Sequence, residues 1–127
     1  MTVNEVIRKL VEKGEFEEEQ LSEIRLGLES GVDVSVYAKP EFSWEQMWQI
    51  RLGLAAKVDV SVYSKPEFSW EQMEQIRKGL ESGADVSVYA KPEFSWEQMR
   101  EIRLGLDYEK KSEKEVSDKV VKAMSLF

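Results

Sequence analysis

The 127-residue chain contains no cysteine and no histidine. The first absence excludes disulfides, thiolate nucleophiles and the sulfur ligands of structural zinc sites; the second removes the most frequent general base at neutral pH and the imidazole metal ligands. An enzyme, a metal site or a cofactor site is therefore not expected. Paired carboxylates such as Glu45 and Glu71 do not replace those parts, because no neighbouring group is evidently tuned to work with them and such glutamates normally decorate solvated helix faces.

Positive charge is also in short supply. Eighteen lysines and arginines against 25 acidic residues leave a formal charge of −7, which repels phosphate backbones, and no basic stripe stands out to overcome that field, so nucleic acid is not an expected partner. Long apolar runs are missing too. The opening MTVNEVIRKLVEKGEF is charged and amphipathic rather than signal-like, and no stretch has membrane length, so the expectation is a cytoplasmic protein without membrane contact. The length suits one domain with a modest core.

What is present is a repeat with a 26-residue period: residues 15–40, 41–66, 67–92 and a fourth copy, 93–106, that degenerates after Leu106. Such a period belongs to the range of solenoids. Each unit reads F-S-W-E-Q-M-x-x-I-R-x-G-L followed by x-x-G-x-D-V-S-V-Y-x-K-P-E. Ser43, Ser69 and Ser95 stand three residues before Gln46, Gln72 and Gln98, the spacing of a capping box, so a helix is expected to begin at each serine. Phe42 with Met47, Phe68 with Met73, Phe94 with Met99 and Phe16 with Leu21 have the spacing of a hydrophobic staple. In the first copy Glu17 holds the cap position as a weaker acceptor. Met47, Ile50 and Leu54 share one helical face, and Gly31 and Gly83 stand where a helix ends in a left-handed residue.

The second half-repeat is ambiguous. In VDVSVYAKP, Val32, Val34 and Val36 alternate with Asp33, Ser35 and Tyr37, as in a strand. Asp33 after a helix-ending glycine is equally a good N-cap, with Val34, Tyr37 and Ala38 on one helical face until Lys39-Pro40 stops the turn. The short helix is the favoured reading, which makes the chain an all-α solenoid of long and short arms. Residues 1–14 are expected to form an N-terminal capping helix, with Val3, Val6, Ile7, Leu10 and Val11 inward, and residues 107–127 a C-terminal cap using Val116, Val120 and Met124.

Three further periodic features need a reason. Gly27, Gly53, Gly79 and Gly105 lie inside the long helix at about 1 kcal/mol each relative to alanine, an expense expected to be offset by close backbone approach between stacked helices. Arg25, Arg51, Arg77 and Arg103 form a ladder that is expected to pair with Asp33, Asp59 and Asp85 or with helix-end carbonyls rather than to bind anions. Trp44, Trp70 and Trp96 are expected to pack between repeats rather than to stack on bases.

The unit EFSWEQMEQIRKGLESGADVSVYAKP resembles a tandem repeat of proteins from gut Firmicutes, some of them mobile-element proteins, in which F-x-x-x-Q-M-x-x-I-R-x-G-L-x-x-G-x-D-V-S-x-Y-A-x-P recurs in series. The likeness covers residues 15–106. It implies helical repeats of unknown function and carries over no catalytic residue. In that pattern the position of Val36, Val62 and Val88 varies, which favours the short helix over a valine-faced strand.

One copy departs from the rest. Where the third repeat has Glu74, Glu81, Ser82 and Gly83, the second has Trp48, Ala55, Ala56 and Lys57. At about 100° per residue, Leu52, Ala55 and Ala56 fall within about 80° of Trp48, and Trp44 within about 40°, all roughly opposite the core positions. Small alanines beside a large indole suit a docking surface, and a side chain at Lys57, where glycine is expected, costs about 1 kcal/mol unless the helix runs on past its usual stop. Trp48, Leu52, Ala55, Ala56, Lys57 and Trp44 are therefore the candidate protein-binding residues. The expected partner is another protein, with inhibition as the consequence if that partner is an enzyme with a cleft; the chain itself is expected to be a monomer or a weak homodimer. A natural repeat with one helix face resurfaced is also how a designed binder would look.

Overall fold

The computed structural model describes residues 1–111 and 120–125. It is helical throughout, and among the described residues there is no strand. Among the described residues, 120–124 are helical and the array consists of α1 (Val3–Lys13), α2 (Glu18–Ser30), α3 (Trp44–Ala55), α4 (Trp70–Ser82) and α5 (Trp96–Lys111). Each packs against the next in a sequential array. Among the described residues no helix is long and apolar enough to cross a membrane.

Local chemistry sets the helix ends. Ser43 and Ser69 accept the backbone N–H of Gln46 and Gln72, whose amide oxygens accept the serine N–H in return. Ser95 and Gln98 do the same. With Glu17 in the serine's place, the return bond from Glu17 N–H to Gln20 Oε1 forms at 2.8 Å. The staple residues Phe42, Met47, Phe68, Met73 and Met99 are all buried. Helix α5 runs 16 residues against 13 for α2 and α4, because Glu109 stands where Gly31 and Gly83 end the earlier helices.

The ambiguous half-repeat is a single 3-10 turn, Val34–Val36, Val60–Val62 and Val86–Val88. Asp33 caps it by accepting the Ser35 N–H at 3.1 Å, and Tyr37 leaves helical geometry at φ −126°. What stops the turn is Tyr37 itself. Its ring is buried and its hydroxyl donates to the Glu23 carbonyl at 2.7 Å; Tyr63 reaches Gln49 and Tyr89 reaches Gln75 in the same way.

These tyrosines explain the glycines inside the helices. A Cβ on Gly27 would lie 2.0 Å from Tyr37 Oη, and one on Gly53 or Gly79 2.1 Å from Tyr63 or Tyr89 Oη. The close approach is thus between a helix and the tyrosine of its own repeat, not between the backbones of stacked helices as the sequence suggested. Val34, Val60 and Val86 crowd the same notch.

Two polar links join successive repeats. Gln20, Gln46 and Gln72 donate Nε2 to the carbonyls of the next lead-in loop, Pro40 and Phe42, Pro66 and Phe68, Pro92 and Phe94. The arginine ladder supplies the second. Arg51 Nε meets Glu23 Oε2 at 2.7 Å, Arg77 Nε meets Gln49 Oε1 at 3.0 Å and Arg103 Nε meets Gln75 Oε1 at 2.9 Å. The expected pairing with Asp33, Asp59 and Asp85 is not made: these arginines reach back to the previous repeat, while Oδ1 of each aspartate accepts the N–H and hydroxyl of Ser35, Ser61 and Ser87.

At the N-terminal end Ile7 is buried and Val3 and Leu10 pack on the core, whereas Val11 is 55% exposed rather than inward. At the other end Val120 and Met124 are exposed, and Val116 lies outside the described residues.

Candidate functional site

The six candidate residues lie on α3 and in the turn that follows it. Met47 and Ile50 are fully buried against the tyrosine layer and fix which face of α3 looks outward. Trp44 and Trp48, one helical turn apart, stack on that outer face with ring centroids 6.4 Å apart and planes 27° apart. Trp44 is 39% exposed, Trp48 and Leu52 are half-buried, and Ala55, Ala56 and Lys57 are exposed. No tryptophan belongs to the buried core or packs against it. The expectation that Trp44, Trp70 and Trp96 fill space between repeats is therefore corrected: Trp44 and Trp96 are exposed and Trp70 half-buried, each at the first turn of its helix.

Comparison along the array separates the departures of the second repeat. Leu52 is not one of them, since Leu26 and Leu104 hold the same position and Lys78 is the exception. On α4 the corresponding strip carries a Glu74–Lys78 ion pair at 3.0 Å. On α3 it is the continuous apolar row Trp44, Trp48, Leu52.

Ala55 has a structural account that the sequence pattern did not suggest. Arg77 and Arg103 each pair with a carboxylate four residues on, Glu81 and Asp107, and take only a neutral amide from the previous repeat. Arg51 has Ala55 four residues on, and its carboxylate comes instead from Glu23 of the repeat before. Arg51, Arg77 and Arg103 thus each keep one acidic partner. The signal was in the sequence, as Glu23 against Gln49 and Gln75, but only the 28-residue register makes it readable.

Ala56 and Lys57 have no such compensation. Ser30 and Ser82 donate their hydroxyls to the carbonyls of Gly27 and Gly79, a bond Ala56 cannot make. The helix does not run on at Lys57. It ends at Ala55, and Lys57 takes φ 61°, the one non-glycine with positive φ among the described residues. The Val58 N–H still reaches the Gly53 carbonyl at 3.1 Å, matching Val32 to Gly27 and Ala84 to Gly79. Lys57 therefore adopts the glycine conformation with its Cβ strain, about 1 kcal/mol, in place.

Burial pushes the Tyr37 hydroxyl up to about 12, with Arg51 opposing, and burial likewise raises Tyr63 and Tyr89. These hydroxyls are spent on helix carbonyls and face no cavity. Among the described residues no cluster of acidic side chains could hold a metal ion. The outer face of α3 offers an apolar aromatic surface with one lysine at its end. Comparisons with family models, with curated proteins and with solved structures find no match to this chain.

Proposed function

We propose that the chain is a protein-binding helical-repeat module that uses the outer face of α3, with Trp44 and Trp48 as anchor, Leu52 beside them, and Ala55, Ala56 and Lys57 at the rim. The observation that carries this reading is the stacked indole pair standing on the surface. Aromatic anchors with small neighbours dominate binding energy at protein interfaces. The 39% of Trp44 still open to water corresponds to roughly 100 Å², or about 2 kcal/mol gross on burial; Trp48 and Leu52 add to it, and the entropic cost of association takes part of the sum back.

The test restores the second repeat to its siblings with Trp48→Glu, Ala55→Glu, Ala56→Ser and Lys57→Gly, and compares proteins retained by the two chains immobilised side by side. A partner retained by the parent and lost by the restored chain supports the reading. Equal retention by both discards it. Sedimentation at micromolar concentration adds the remaining outcome, since a dimer that the restored chain cannot form would make the partner a second copy.

A further inference from the structure

The last long helix presents the open half of an interface that the three before it have closed. Along the array Gln20, Gln46 and Gln72 each bridge two carbonyls of the next lead-in loop, and Glu23, Gln49 and Gln75 each accept the next repeat's arginine. The corresponding residues of α5 are Gln98 and Glu101. Gln98 is held in the same way as its siblings, its Oε1 accepting the Ser95 N–H at 2.9 Å, yet it is exposed and among the described residues its Nε2 has no partner. Glu101 is exposed and meets only its sequence neighbour Arg100, in a solvent-exposed ion pair at 3.2 Å, among the described residues.

Burial records the same missing layer. Ile24, Ile50 and Ile76 are fully buried and Phe42 and Phe68 are 2% exposed, whereas Ile102 and Phe94 are only half-buried. Phe94, Gln98, Glu101 and Ile102 line an open cleft of about 410 Å³. Residues 107–127 contain no proline and no arginine, so they lack the lead-in loop and the ladder arginine that α5's predecessors receive.

We propose that this end face docks one further repeat of the same type, supplied by another polypeptide. Its lead-in loop, Lys-Pro-Glu-Phe-Ser, would place two carbonyls on Gln98 Nε2, and its arginine would pair with Glu101. Continuity with three equivalent contacts inside the chain, the first of them also an arginine–glutamate pair, is the argument for that occupant. The chain's own first repeat is a poor donor, because α1 already covers α2 with Ile7, Val3 and Leu10. The array is thus closed at one end and receptive at the other, a head-to-tail rather than a twofold geometry.

The experiment titrates the full chain into a fluorescently labelled peptide of residues 63–92, which carries Pro66, Phe68 and Arg77, following anisotropy and the Gln98 side-chain amide by NMR. Saturable binding that shifts the Gln98 amide is expected. Glu101→Arg should weaken it by about tenfold or more, and an Arg77→Glu peptide should restore binding to that variant. Absence of saturable binding, or binding indifferent to Glu101→Arg, overturns the proposal. Trp48→Glu in the full chain should leave peptide binding unchanged, so this surface and the α3 face are tested separately.

Discussion

Replacing glycine by alanine at equivalent positions of two helices should change stability in opposite directions. At Gly53 an added Cβ would lie 2.1 Å from Tyr63 Oη, 2.7 Å from Val60 Cγ1 and 3.2 Å from Tyr63 Cζ, whereas at Gly105 nothing among the described residues lies within 4 Å. Tyr63 cannot retreat cheaply, because its ring is fully buried and its hydroxyl is bonded to the Gln49 carbonyl. Gly53→Ala gains about 1 kcal/mol of helix propensity but meets an overpacking penalty of about 1–3 kcal/mol and the loss of a buried hydrogen bond of similar size. The expected result is a net destabilisation of about 2–4 kcal/mol. Gly105→Ala keeps only the propensity gain and should stabilise by about 0.5–1 kcal/mol. Urea unfolding followed by circular dichroism reads both. A double-mutant cycle adds a second constraint: Tyr63→Phe removes the clashing oxygen, so Gly53→Ala should cost less in that background by more than about 0.5 kcal/mol. If Gly53→Ala is neutral, or the two alanines move stability the same way, the notch does not exist as described.

Charge balance along the arginine ladder gives a second expectation. Glu23→Gln should destabilise the chain by about 1 kcal/mol through loss of Arg51's acidic partner, and adding Ala55→Glu should recover most of it, because it recreates the pairing seen at Glu81; chemical denaturation of the four chains checks it, and additive effects would refute it. Alkaline pH gives a third. The buried tyrosines have raised folded-state values, so their stabilising contribution is intact below the ordinary value near 10 and is lost as pH climbs toward about 12 for Tyr37 and beyond for Tyr63 and Tyr89. Tyrosinate absorbance from these three should therefore rise together with loss of helical ellipticity, and ionisation of more than one of the chain's four tyrosines with the helices intact would contradict it.

The parts of the fold that could be read from the sequence are those governed by chemistry within about one helical turn. The serine–glutamine boxes, the phenylalanine–methionine staples and the left-handed Gly31 and Gly83 all stand where the local pattern put them. The aspartate cap at position 33 was equally legible, although the element it begins is one 3-10 turn and not a longer helix. What escaped depends on how units sit on each other. Tyr37 bonds 14 residues back, Gln20 reaches 20 and 22 residues ahead, and Arg51 reaches 28 residues back. No periodicity argument contains those registers, so the glycines and the arginines were assigned the wrong neighbours. On the candidate face the helical wheel placed Trp48 and Trp44 together correctly, but it could not say how far each is covered, nor that the two rings would shield one another.

The second repeat can be weighed against what its fold requires. Ala55 is compensated, since Glu23 supplies the charge it withholds. Ala56 forfeits a hydroxyl bond that Ser30 and Ser82 make, and Lys57 carries left-handed strain that Gly31 and Gly83 avoid. Together these cost about 1–2 kcal/mol, a noticeable share of the 5–15 kcal/mol typical of a domain. The stacking of Trp48 on Trp44 recovers at most about 0.5–1.5 kcal/mol, and the bond from Val58 to Gly53 closes the turn as well as in its siblings. A solvated Glu74 and Lys78 occupy the same places one repeat later without difficulty. The arrangement at the third repeat shows that the array accommodates a charged pair at these places, and the proposed contact surface is therefore centred on the indole at position 48.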